Sequence, residues 1–150
     1  MFSRFKNAGA FVSIRVHWWF GLMLVCDVSA FATPLALSRN DEAAREAAVQ
    51  WLQVLDSANY NDAAQMMAQE IRNQRNWSGY FAKHRAALGR ASKRHLTEVK
   101  HTSTLPGAVG VRKCAILRFE SSVERGSVAI EEIAMAKLGC CWEVFGYELK

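Results

Sequence analysis

The stretch over 111–149 constrains the fold of this chain more than any other. It reads as three consecutive β-strands over 111–122, 127–137 and 141–149, divided by turn signals at Glu124-Arg125-Gly126 and Leu138-Gly139-Cys140. The first carries Cys114, Ile116, Leu117 and Phe119, and the second Val128, Ile130, Ile133 and Met135. In the third, Trp142 and Val144 alternate against Phe145, Tyr147 and Leu149, which predicts two different faces. An earlier run over 94–105, dense in Thr97, Val99, Thr102 and Thr104, predicts one more strand, closed by the Leu105-Pro106-Gly107 turn. A sheet of about four strands cannot bury its apolar face alone, so the residues before it must supply the cover.

Those residues read as helices. Over 41–55, Ala44, Ala47, Ala48, Trp51, Leu52 and Leu55 recur at three- and four-residue steps and form one apolar stripe. Ser38 or Asn40 can cap this helix, and Asp41 and Glu42 suit its positive end. Turn-forming residues from Asp56 to Tyr60 separate it from a short helix predicted over 62–72, facing inward through Ala63, Met66, Met67 and Ile71. A third helix is predicted over 74–88, capped by Asn73 or Asn76, with Trp77, Tyr80, Phe81, His84 and Leu88 on one side and Gly89 as its stop. Helices followed by strands give an α+β class: N-terminal helices on a curved antiparallel sheet.

The first 32 residues read as a targeting segment. Arg4, Lys6 and Arg15 precede an apolar run from Trp18 to Cys26, Asp27 interrupts it, and Ala30-Phe31-Ala32 offers a signal-peptidase pattern. The run is short for a bilayer span, which needs roughly 20 apolar residues. The expected organisation is a signal peptide over 1–32, a linker over 33–40 and one domain over 41–150, exported to the periplasm or secreted. A retained anchor and an ordinary N-terminal helix are the alternatives.

Export leaves Cys114, Cys140 and Cys141, an odd number for an oxidising compartment. A simple meander puts Cys114 two strands from Cys141, about 9–10 Å at the usual strand spacing. A disulfide needs Cα atoms within about 7 Å, so Cys114 is expected to stay unpaired. The adjacent Cys140 and Cys141 are expected to be reduced, with a redox or metal role as the alternative.

Charge is informative locally. Between residues 72 and 100 there are 8 Lys or Arg against the single acid Glu98. Arg85, Arg90, Lys93, Arg94 and Lys100 are the densest part and are expected on a solvated cationic face that could meet an anionic partner. Nucleic acid is not favoured, because the nearby aromatics sit at core spacing rather than between the cations.

No catalytic set emerges. Asp56 is expected to be a turn and cap residue, and His84 a partly buried histidine. Glu131 and Glu132 put one carboxylate on each face; both are expected in solvent, the alternative being that one points to the concave side as a buried acid with a raised pKa. His95 and His101 lie about 20 Å apart along one strand and cannot share a metal. Phosphate loops, nucleophile elbows and CxxC pairs are absent from the sequence, and no metal or cofactor is expected. Trp51, Tyr60, Trp77, Phe81, His84 and Trp142 are the residues expected to line any pocket.

Specific strings also resemble a known family. Ala47-Ala48-Val49-Gln50-Trp51-Leu52, Val54-Leu55-Asp56, Tyr60, Trp77, Leu88-Gly89, Thr104-Leu105-Pro106-Gly107, Ile116-Leu117-Arg118-Phe119 and Trp142-Glu143-Val144-Phe145-Gly146-Tyr147 resemble the bacterial domain-of-unknown-function family 4019. The resemblance implies a small exported domain shaped like the cystatin-like, nuclear transport factor 2-like cone, in which a bent sheet wraps a helix. It carries over no activity and no catalytic residue. Cys114 and the Cys140-Cys141 pair depart from the family's usual pattern. The expected function is a non-catalytic binding or accessory module of the cell envelope. Its alternatives are an acid/base enzyme using His84, Asp56 and Glu132 in the cone, or a module that dimerises through its sheet.

Overall fold

The first helix, α1 (Arg39–Asp56), opens where Ser38 offers its Oγ to the Asp41 N–H at 3.2 Å, and Asp41 and Glu42 sit in its positive first turn. Ser38 rather than Asn40 is therefore the cap, and the helix takes in part of the predicted linker. The computed structural model describes residues 35–108, 110–111, 113–124 and 126–150; the predicted leader lies outside them. Among the described residues, no helix is long and apolar enough to cross a membrane.

The predicted second helix is broken in two. The pieces are α2 (Tyr60–Gln65) and α3 (Gln69–Arg72). Between them Met67 forms a parallel bridge with Val144, and the Ala68 N–H donates to the Val144 carbonyl at 2.9 Å. A sheet edge with unpaired backbone groups outcompetes one more turn of helix, because each buried N–H and C=O needs a partner. Met66, expected inside, is left exposed by the same break. The helix α4 (Trp77–Arg85) is shorter than predicted, with Asn76 capping the Gly79 N–H at 2.9 Å.

The strands β1 (Ala91–Thr102), β2 (Cys114–Val123), β3 (Val128–Leu138) and β4 (Cys141–Leu149) follow, paired antiparallel in the order β1-β2-β3-β4. The α+β class with helices against an open four-stranded sheet is as expected. β1 starts three residues before its predicted position and ends where Thr102 Oγ1 accepts from the Thr104 N–H at 3.2 Å. The Leu105–Ala108 turn closes with a 3.1 Å hydrogen bond, and Gly107 sits at φ +85°, the type II geometry in which glycine follows proline.

Cys114 lies opposite Ala136 and Ala136 opposite Glu143, so Cys114 is two strands from the end that carries Cys141. Cys114 is a buried free thiol, as that register requires. Along β2 and β3, Leu117, Phe119, Ser121, Ile133 and Glu131 face the helices. A bulge opposite Ala134 and Met135 breaks the alternation in β4. Tyr147 therefore pairs with Ile133 and turns toward the same helix-covered face as Val144, which strict alternation would have forbidden. Trp51 anchors the layer from α1, with its indole N–H bonded to the Ala63 carbonyl at 2.7 Å.

Candidate functional site

The helix-facing side of the sheet holds a polar network inside the core. Each of six elements contributes one member: Asp56 ends α1, Arg85 ends α4, and Arg94, Ser121, Glu131 and Tyr147 come from β1 to β4. Glu131 is fully buried and accepts four hydrogen bonds. Arg85 Nη1 donates to its Oε1 at 2.8 Å and the Tyr147 hydroxyl to the same oxygen at 2.9 Å. Arg94 Nε donates to Oε2 at 2.8 Å, and the Ser121 hydroxyl donates there too. Asp56 receives Arg94 in a fork, at 2.6 and 2.9 Å, and also Arg85 Nη2. Two carboxylates and two guanidinium groups balance, and the bidentate Arg94–Asp56 fork is the strong form of such pairing.

The electrostatics follow from this packing. Burial alone would raise the Asp56 carboxyl, but hydrogen bonds and charge from Arg94, then Arg85, outweigh it and hold Asp56 below its usual value. Burial would likewise strip the proton from Arg94, yet Asp56 and Glu131 raise its pKa above the ordinary arginine value. Tyr147 is pushed up, first by burial and then by the Glu131 charge, so it stays a hydroxyl donor. An acid with a lowered pKa contributes stability that is complete above its unfolded value of 3.8 and is lost as pH falls through the folded one. In urea melts at pH 7, Asp56→Asn is expected to cost about 2 kcal/mol, and the difference from the parent chain should shrink below pH 4. A difference that held constant to pH 3 would show that Asp56 is not the ion this network requires.

These positions correct the sequence reading at several residues. Arg85 and Arg94, expected on a solvated cationic face, turn inward, because they lie in line with Trp77 and Phe81 on α4 and with Leu96 on β1. Of the five cations expected together, Lys93 and Lys100 point away from the helices on β1, and Arg90 reaches the Asp56 carbonyl at 3.3 Å. Asp56 is no simple turn residue, and Glu131 is not in solvent. His84 is exposed and stacks on Tyr80, ring centroids 4.4 Å apart. Glu132 lies on the opposite face, bonded to Lys150 Nζ at 2.8 Å. His84, Asp56 and Glu132 thus do not meet in one cavity. Among the described residues, no cluster of three or more His, Cys, Asp or Glu is placed to hold a metal.

Parity was the available signal for the network. Arg94, Ser121 and Glu131 each share a face with core residues of their own strands, and an acid at a helix C-terminus opposes the dipole unless a cation answers it. Tyr147 had no such signal, since the bulge that aims it is a tertiary feature.

Of the residues expected to line a pocket, Trp51, Phe81 and Trp142 are buried in the core. Tyr60 borders an open hollow of about 510 Å³ beside Asp56, Arg85 and Arg90, where the network meets solvent. Trp77 and Tyr80 wall a second open groove of about 660 Å³, which continues past Pro106 to Ile116, Ala134 and Gly146. Arg75 lies over both rings, 4.7 Å from the Trp77 centroid and 4.9 Å from that of Tyr80, a cation–π arrangement on two rings that meet edge-on at 83°.

No curated protein and no solved structure matches this chain. One family model, described as "Protein of unknown function (DUF4019)", matches residues 47–147, a span that takes in the whole network and both walls of the aromatic groove. The chain belongs to that family.

Proposed function

We propose that this chain is an exported, non-catalytic binding or accessory module of the bacterial cell envelope, built as a cystatin-like cone. The observation that carries the reading is the pairing of Asp56 and Glu131 with Arg85 and Arg94. A general base needs a free lone pair and a pKa near the working pH. Glu131 has its acceptor positions taken by Arg85, Arg94, Ser121 and Tyr147, and Asp56, bound by both arginines, is shifted away from neutrality. They hold helices to sheet, and the groove beside Trp77 and Tyr80 is left as the recognition surface. Export rests on the basic start, the apolar run from Trp18 and the Ala30-Phe31-Ala32 site.

Fractionation of a bacterium expressing the full chain tests both halves. The accumulated protein is expected outside the cytoplasm with Thr33 as its first residue, partly retained with sedimented envelope. Tyr80→Ala is expected to weaken that retention about tenfold, the equivalent of 1.4 kcal/mol, in protein that a urea melt shows to be folded, since Tyr80 also packs against the core. An uncleaved chain in the cytoplasm would sink the export reading. Retention unchanged by Tyr80→Ala would sink the groove as the recognition surface.

A further inference from the structure

The β3–β4 hairpin turns on two residues, Gly139 and Cys140, with Leu138 paired to Cys141. Gly139 at φ +60° in the first loop position is what a tight two-residue turn of the II′ kind demands. This geometry sets Cys140 and Cys141 side by side at the hairpin tip. Both are exposed free thiols, and their sulfurs lie 2.7 Å apart. Neighbouring strand residues normally point to opposite faces, so two adjacent side chains brought together in this way are a property of the turn. Lys137 and Glu143 flank the pair with opposite charges.

Two chemistries suit two adjacent thiols. A tetrahedral metal would want four ligands with metal–sulfur distances of about 2.3 Å, and therefore sulfurs well over 3 Å apart. Among the described residues no third ligand is placed to help. The short approach favours covalent joining.

We propose that Cys140 and Cys141 form a reversible thiol–disulfide exchange site that takes up oxidising equivalents from low-molecular-weight disulfides. The Cys140 thiolate attacks one sulfur of the small disulfide, forming a mixed disulfide and releasing one small thiolate. The Cys141 thiol, whose sulfur lies 2.7 Å from that of Cys140, gives up its proton to solvent. Its sulfur attacks the Cys140 sulfur and expels the second small thiolate. The pair loses two electrons, the small disulfide gains two, and two small thiols leave. Consecutive Cα atoms are about 3.8 Å apart, shorter than the 4.4–6.8 Å that relaxed disulfides span. The ring is therefore strained and readily reduced, which makes it an exchange site rather than a staple.

Trypsin isolates the readout, because Lys137 and Lys150 bound a peptide over 138–150 that holds both cysteines, while Cys114 leaves in the peptide over 114–118. The full chain is equilibrated in glutathione buffers of graded ratio, alkylated, digested and weighed. The expected result is a 138–150 peptide that loses two hydrogens in oxidising buffer, regains them in reducing buffer, and carries no lasting glutathione. Cys141→Ser should instead trap one glutathione on Cys140. The proposal is overturned if both cysteines alkylate at every ratio, or if the parent chain keeps a stable glutathione adduct.

Discussion

Glu131→Ala is expected to cost about 3–5 kcal/mol in urea denaturation, among the largest effects of any single change in this chain. The side chain itself is modest, so cavity formation explains only part of the loss. The larger part is what remains: Arg85, 1% exposed, and Arg94, 13% exposed, would share a single carboxylate, that of Asp56. The Tyr147 and Ser121 hydroxyls would lose their acceptor in the same place. An unpaired charge taken out of water is far more costly than the pair that contained it was stabilising. The denaturation midpoint should fall with little change in slope, since the surface exposed on unfolding is nearly the same. A midpoint within about 0.5 kcal/mol of the parent would mean that the arginines escape to solvent through the hollow at Asp56. Glu131→Gln should cost less, because the amide oxygen can still accept from one arginine.

Trp51→Ala is expected to cost about 3–5 kcal/mol as well, for a different reason. Trp51 is 1% exposed and fills the space between α1, α4 and β4. Its ring meets Phe81 edge-on at 5.5 Å and Tyr147 at 5.4 Å, and its N–H satisfies the Ala63 carbonyl. Truncation opens a cavity, orphans that carbonyl and frees the ring of Tyr147, whose hydroxyl serves Glu131. The two sites are therefore coupled. A double-mutant cycle of Trp51→Ala with Tyr147→Phe should show an interaction of about 0.5–3 kcal/mol, whereas independent sites would add within about 0.5 kcal/mol. Simple additivity would show that Trp51 supports the core without positioning Tyr147.

Much of the architecture is legible in the sequence. The Ala44–Leu55 stripe, the Pro106-Gly107 turn and the hairpin signals at Gly126 and Gly139 each rest on a local preference that tertiary packing reinforced. The pairing of β2 with β3 and of β3 with β4 followed from short turns, which leave adjacent strands nowhere else to pair, whereas β1 reaches β2 through the longer connection over 103–113. The isolation of Cys114 followed from that order and the strand spacing. Local preference was overruled at Met66–Ala68, where pairing with Val144 replaced helix, and at the β4 bulge, where Tyr147 changed sides.

The network was the part least visible, and its residues show why. Arginine and carboxylate side chains are expected in water because burial of a lone charge is prohibitive. That expectation holds residue by residue and fails for a set whose members cancel one another. Asp56, Arg85, Arg94 and Glu131 lie as far as 75 positions apart in the sequence, so nothing local announces that they meet. The sequence by itself determined where helix and strand lie outside Met66–Ala68, the antiparallel pairing across the short turns and the chemistry available, because these depend on periodicity, turn residues and composition. Only the tertiary structure decided which charges go inside, which aromatic rings border a groove and which two sulfurs touch, because each of those is settled by partners brought together from distant parts of the chain.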